Sequence, residues 1–219
     1  MSLQTIINNA SAITIDRRKV GGYTISRSGR VKVASIASNV PWQFRVKMHD
    51  GLTYSANRYV LESIDYNDRV IKSTINIGSS NTGLAYLTQY KGDLNSTAIN
   101  SITVANANVL TLTLDVSNTG VGSGTVLFQP GDYLQLGGAY KYPYTVTSQV
   151  TRGGSSTVNV PINRPFIEQS GYTTVGANIV VGSAVTWNVL VTRRPSYTVV
   201  PYDRIAWNGE FELIEVIED

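Results

Sequence analysis

Hydrophobic and polar residues alternate along most of this chain with a period of two, the spacing of a strand that buries one face. The clearest run is Trp42 to Met48: Trp42, Phe44, Val46 and Met48 fall on one face, Gln43, Arg45 and Lys47 on the other. The same alternation sets Leu110, Leu112, Leu114 and Val116 against Thr111, Thr113, Asp115 and Ser117, and recurs at Val185, Trp187, Val189 and Val191. The last run, Phe211 to Ile217, is apolar on both faces, since Phe211, Leu213 and Ile217 alternate with Ile214 and Val216. Such a strand either lies mid-sheet with layers on both sides or gives one face to another subunit. Helical spacing takes over from about Ser55, a residue able to cap a first turn, towards Val70. There Val60, Leu61, Ile64 and Ile71 make an apolar stripe. A second, shorter helix is expected from Ser2 to about Asn9.

Val, Ile, Thr and Tyr dominate, with Gly and Asn as punctuation, so the fold class expected is mainly β with one flanking helix. From about Ser96 to Pro195 charges become sparse, and turn clusters stand at 118–124, Gly137-Gly138 and Gly153-Gly154. Strands at roughly ten-residue spacing are the mark of a small sandwich or barrel. The expected organisation is a basic arm over 1–30, a β core from 31–95 and 196–219 with its helix at about 55–70, and an inserted β domain over 96–195.

The formal net charge is only +3, but it is unevenly placed. Arg17, Arg18, Lys19, Arg27, Arg30 and Lys32 crowd the N-terminal region, whereas Glu210, Glu212, Glu215, Glu218 and Asp219 close the chain without a base among them. Clustered cations can neutralise phosphates, yet single-strand binders interleave them with stacking aromatics, and only Tyr23 lies in this run. Contact between the basic and acidic patches of neighbouring copies accounts for both ends together. These ten Arg, Lys and Glu residues are therefore the candidate subunit interface.

Candidate chemistry is thin. With no cysteine and a single histidine, His49, the chain lacks thiolate catalysis and the usual zinc ligand spacings, and no cofactor fingerprint occurs. His49 precedes Asp50-Gly51 and reads as a solvent-facing turn residue. A carboxylate pair such as Asp132 and Glu168 can be drawn from fifteen acids, but surface acids are the simpler reading. Gly120-Val121-Gly122-Ser123-Gly124 lacks the lysine and helix of a phosphate loop and reads as a hairpin loop. Asn95-Ser96-Thr97 reads as a turn at a domain boundary. Tyr140, Tyr142 and Tyr144 alternate, placing three rings on one side of an extended segment that could meet a glycan or a partner protein. No apolar run approaches the ~20 residues that span a bilayer, and the N-terminus does not read as an export signal.

Pro41-Trp42-Gln43-Phe44-Arg45-Val46, followed by the helix from Tyr54 to Arg69, resembles the opening of tail and baseplate proteins of contractile-tailed bacteriophages, particularly those of cyanobacteria. The run from Gln129 to Leu136, then Tyr144-Thr145-Val146 and Val158 to Ile162, is similar to a β module of phage tail proteins. In that module a strand led by Gly-Asp precedes a hairpin with a Tyr-x-Val pattern. The two stretches cover about half of the chain. The resemblance implies a non-enzymatic virion protein made in the host cytoplasm, with a tail-tube-like sandwich or barrel, at the tube end or baseplate. It implies ring contacts with copies of itself and with other tail proteins, and DNA only in passage. The alternative is a carbohydrate-binding module for a host surface, using Tyr140, Tyr142 and Tyr144.

Overall fold

A computed structural model describes residues 2–17, 20–28, 30–37, 40–66, 70–79, 83–138, 141–167 and 175–217. The chain is mainly β. It begins with α1 (Ser2–Asn8), β1 (Ala10–Asp16), the hairpin of β2 (Val20–Ile25) and β3 (Val31–Ala37), then β4 (Gln43–Met48), β5 (Leu52–Thr53), α2 (Tyr54–Tyr66) and β6 (Ser73–Ile75). A second group comprises α3 (Ser96–Asn100), β7 (Thr103–Asn108), β8 (Thr111–Asp115), β9 (Val126–Phe128), β10 (Tyr133–Leu136), β11 (Tyr144–Thr145), β12 (Val150–Thr151), β13 (Thr157–Pro161) and β14 (Ile179–Val181). The chain closes with β15 (Trp187–Arg193), β16 (Ser196–Val200), β17 (Arg204–Asn208) and β18 (Phe211–Glu215).

The main sheet has the order β1-β4-β18-β15-β6 and curls into half a barrel. Its alternating residues do what their spacing predicts: Trp42, Phe44, Val46 and Met48 are buried, as are Val185, Trp187, Val189 and Val191. β18 lies in the middle of the sheet, between β4 and β15, which answers the question raised by its two apolar faces. Phe211 and Leu213 enter the core, while Ile214 and Val216 are half-buried on the other face. Leu3, Ile6 and Ile7 of α1 are buried in the same core, and β1 pairs with β4 from Ala10↔Met48 to Asp16↔Gln43. Residues 2–16 are therefore part of the core and not an arm: an amphipathic turn of helix followed by alternating Ile13 and Ile15 has apolar surface to hide. What does project is the β2/β3 hairpin, a two-stranded sheet of its own.

A second core gathers residues from Leu94 to Val181, among them Leu112, Leu114, Phe128, Leu134, Tyr144 and Val160. Three small antiparallel sheets surround it, β11-β10-β14, β12-β9 and β13-β8-β7. The expected insertion thus ends earlier than Pro195. Val185 to Arg193 belongs to the main sheet, where Trp187↔Ile75 and Val191↔Leu213 pair it on both sides. The period of two was read correctly there, but alternation names a face and not the sheet that the strand joins. Asn95 is more than a boundary turn: its Oδ1 accepts the N–H of Ala98 at 2.8 Å and caps α3.

Helix α2 buries Leu61 and Ile64 as expected; it is described over Tyr54–Tyr66, and Ile71, outside any helix, is 60% exposed. Ser55 is not the cap. The cap comes from Asp203, whose backbone carbonyl accepts the N–H of Tyr54 and whose carboxylate accepts the N–H of Ser55, both at 2.9 Å, and the Ser55 hydroxyl. Asp203 reaches the helix from the turn joining β16 to β17, where Tyr202 and Asp203 adopt left-handed φ of 65° and 60° without glycine. An anion at a helix start also meets the positive end of its dipole. Asp203→Ala should lower stability by about 1 kcal/mol through loss of the cap. Tyr202→Gly should raise it by about 1 kcal/mol by relieving the left-handed backbone. Urea unfolding midpoints that shift in opposite directions would check both.

Candidate assembly interface

The residues singled out by charge divide into three sets. Arg18, Lys19, Glu218 and Tyr140 lie outside the described residues, as does the side chain of Lys32. A second set faces solvent: Arg27 and Arg30 stand at the β2/β3 tip, and Glu210 precedes β18. That tip is a compact turn in which the Ser26 N–H donates to the Arg30 carbonyl and the Arg30 N–H to Ser26 Oγ, at 2.9 and 3.1 Å. Beside the two arginines, Ile25 and Val31 pair across the hairpin, 63% and 60% exposed. Glu212, half-exposed, meets Arg193 at 3.4 Å, a solvent-screened contact of little energetic weight.

The third set turns inward and corrects the expectation. Glu215 is 2% exposed, because alternation along β18 puts it on the same face as Phe211 and Leu213. Its carboxylate accepts the Trp42 N–H at 3.0 Å and takes Arg164 in a fork at 2.6 and 2.7 Å. Arg164, 5% exposed, also donates to the Pro143 carbonyl at 2.8 Å, and its Cζ lies 4.7 Å from the Trp42 ring centroid and 5.4 Å from that of Tyr144. A planar fork above aromatic faces is an arrangement that suits arginine and not lysine. Glu215 therefore joins the two cores and is not available to another subunit.

Arg17 makes a second tie. It donates to Tyr133 Oη at 3.2 Å and Thr145 Oγ1 at 3.3 Å, with its Cζ 5.4 Å from the Tyr133 ring and 5.9 Å from the Trp42 ring. Thus the end of β1 is held against β10 and β11 within one chain. Trp42, Tyr133 and Trp187 pack edge-on or tilted at 5.7 to 6.5 Å between centroids, and Phe44 meets Trp187 at 5.8 Å. This aromatic cluster fills the space beneath the junction.

Tyr142 and Tyr144 are 2% and 1% exposed, so neither ring can meet a glycan. The segment does not stay extended in solvent: β11 pairs with β10 through Tyr133↔Thr145 and Leu134↔Tyr144. Tyr144 stacks on Phe166 at 5.9 Å, and its Oη accepts the Ile167 N–H at 3.0 Å. Gly131-Asp132 does lead β10 into this pairing. Asp132 is 2% exposed and accepts the amides of Lys91 and Gln129, both at 2.8 Å. Burial raises its pKa, and the two amides partly offset that rise. It is a turn-fixing carboxylate; Glu168, the other half of the pair considered above, lies outside the described residues. His49 is exposed at the end of β4, as expected.

Residues 10–16, expected within the basic arm over 1–30, form an edge strand of the main sheet. Among the described residues, β1 pairs on one side alone, leaving a seven-residue edge with Asp16 as its single charge and no proline. Natural sheet edges are usually blunted by lysine, proline or a bulge. Here a register shift near Ala10/Ala12 is the one irregularity. The sequence matches no protein-family model and no curated protein.

Arg164→Met would leave Glu215 buried without its cation and should cost about 3–5 kcal/mol in unfolding free energy. Adding Glu215→Gln, which keeps an acceptor for the Trp42 amide, should restore more than half of that loss, as a double-mutant cycle in urea would show. Burial pushes the phenols of Tyr144 and Tyr90 up to about 12, against an ordinary 10.0. The unfolded chain ionises these groups first. Their stabilisation is thus complete below pH 10 and is lost as pH rises towards 12. Denaturant midpoints should fall across that window, and fall less steeply in Tyr144→Phe.

Proposed function

We propose that this chain is a non-enzymatic structural subunit of a bacteriophage tail, placed at the end of the tail tube or in the baseplate. Its work is to join copies of itself and neighbouring tail proteins. The observation that carries this reading is the open β1 edge of a curled half-barrel sheet. A sheet that curls without closing, and whose long edge carries a single charge, is a template for another strand. Copies that meet head to tail through such edges close into a ring when the rotation between them closes.

The projecting β2/β3 hairpin supports the same reading. Its exposed apolar pair, Ile25 and Val31, sits beside Arg27 and Arg30, which suits contact with a neighbour's acidic surface such as the one bearing Glu210. Docking is accordingly assigned to the hairpin tip, while Arg17 and Glu215 serve the fold. The resemblance of the Trp42 strand, α2 and the Gly131-Asp132 hairpin to phage tail proteins gives the setting.

Thr14→Lys places a charge on an exposed position of the edge. It should leave the circular dichroism spectrum unchanged and shift the protein from ring-sized species to monomer in sedimentation velocity. Monomeric wild-type protein under all conditions would remove the edge argument. Quantitative mass spectrometry of purified tailed particles whose genome encodes this chain should find it at a few copies per particle. Hundreds of copies would make it the tube itself, and absence would overturn the proposal. Arg27→Glu with Arg30→Glu should lower incorporation into particles without lowering the thermal midpoint.

A further inference from the structure

Away from the junction and the open edge, a cleft of about 710 Å3 lies between the turn after β6 and two short 3-10 turns, Ala85–Thr88 and Gly182–Ala184. Its size is that of a small-ligand site. The floor is main chain. A Cβ on Gly78 would come within 2.5 Å of Ser183 Cα, and one on Gly182, whose φ is +65°, within 2.8 Å of Tyr90 Cβ. Glycine at both positions lets the turns pack closely against each other behind the cleft.

The walls have a consistent chemistry. Tyr86 lines the cleft and is 64% exposed, and among the described residues no hydrogen bond or ring contact engages its side chain. Gln89 stands one turn further on. Its Oε1 accepts from Lys91 Nζ at 2.9 Å, and among the described residues its Nε2 has no acceptor. Ser183 presents a hydroxyl from the opposite turn. The remaining lining residues are Gly78, Ser79, Ala85 and Ala184; among the described residues none that lines the cleft is charged, and the Lys91 ammonium sits behind Gln89.

We propose that this cleft binds a neutral saccharide unit. An exposed, unpartnered ring offers a platform for the apolar face of a pyranose. Amide and hydroxyl groups on either side match its ring hydroxyls, and the lack of a charged side chain among the described lining residues suits a neutral ligand. The site is distinct from Tyr142 and Tyr144, and it does not depend on the assembly reading.

The test is amide-resolved NMR of the full chain with maltotriose, cellotriose and chitotriose at millimolar concentration. At least one should shift the resonances of Tyr86, Gln89 and Ser183 in a saturable manner. Tyr86→Ala should weaken that binding roughly tenfold, the scale of one lost aromatic contact, and Tyr86→Trp should retain it. Tyr59→Ala, which removes a ring 83% exposed elsewhere, should leave it unchanged. Absence of saturable shifts with all three sugars, or equal shifts in Tyr86→Ala, would overturn the proposal.

Discussion

The carboxylate of Glu215 is the constraint on which the two halves of this molecule depend. Strand alternation turns it inward, and a buried charge is tolerated only when paired and hydrogen-bonded. Its partners come from distant parts of the chain: the amide of Trp42 at the start of β4, and the guanidinium of Arg164 from the second core. Satisfying one carboxylate therefore fixes β18 against β4 and docks the second core onto the first. Arg17 repeats the device on the neighbouring side, tying β1 to Tyr133 and Thr145. The two cores also share residues: Tyr133, which comes from the second group of strands, packs in the first core, and Ile217 packs against the second.

A junction held by a forked ion pair and aromatic faces resists sliding, because the fork loses its geometry with small rotations. The stiffness matters for what lies outside it. In the proposed assembly the β1 edge and the hairpin tip must be presented at fixed positions relative to each other, and loss of register would break ring closure. The polar groups buried inside serve shape, and the surfaces left open serve contact.

Tyrosine shows how context sorts one residue type into different tasks. Tyr144 packs under Arg164 and holds the Ile167 amide; Tyr90 reaches the Leu127 carbonyl under Gly92 and is likewise mostly covered. Tyr133 receives Arg17. Tyr59, Tyr86 and Tyr202, by contrast, are exposed on three different elements. Sequence spacing separated none of these roles. Tyr140, Tyr142 and Tyr144 have the pattern of a displayed row, yet pairing of Tyr144-Thr145 with β10 draws the described members inward.

By itself the sequence determined the mainly β class, the inward faces at Trp42 to Met48 and Val185 to Val191, both N-terminal helical segments and the turn role of His49. These follow from local periodicity and turn chemistry, which act over a few residues. Only the tertiary structure decided which sheet each strand joined, so that β15 returned to the main sheet and residues 2–16 became core. It also decided that α2 is capped by Asp203, that Arg17 and Glu215 serve the junction, and that β1, among the described residues, pairs on one side alone. Those outcomes depend on partners more than a hundred residues away for Asp203, Glu215 and Arg17. A charge pattern along the chain records which residues are ionic; burial and long-range pairing decide whether each charge meets solvent or another part of the same molecule.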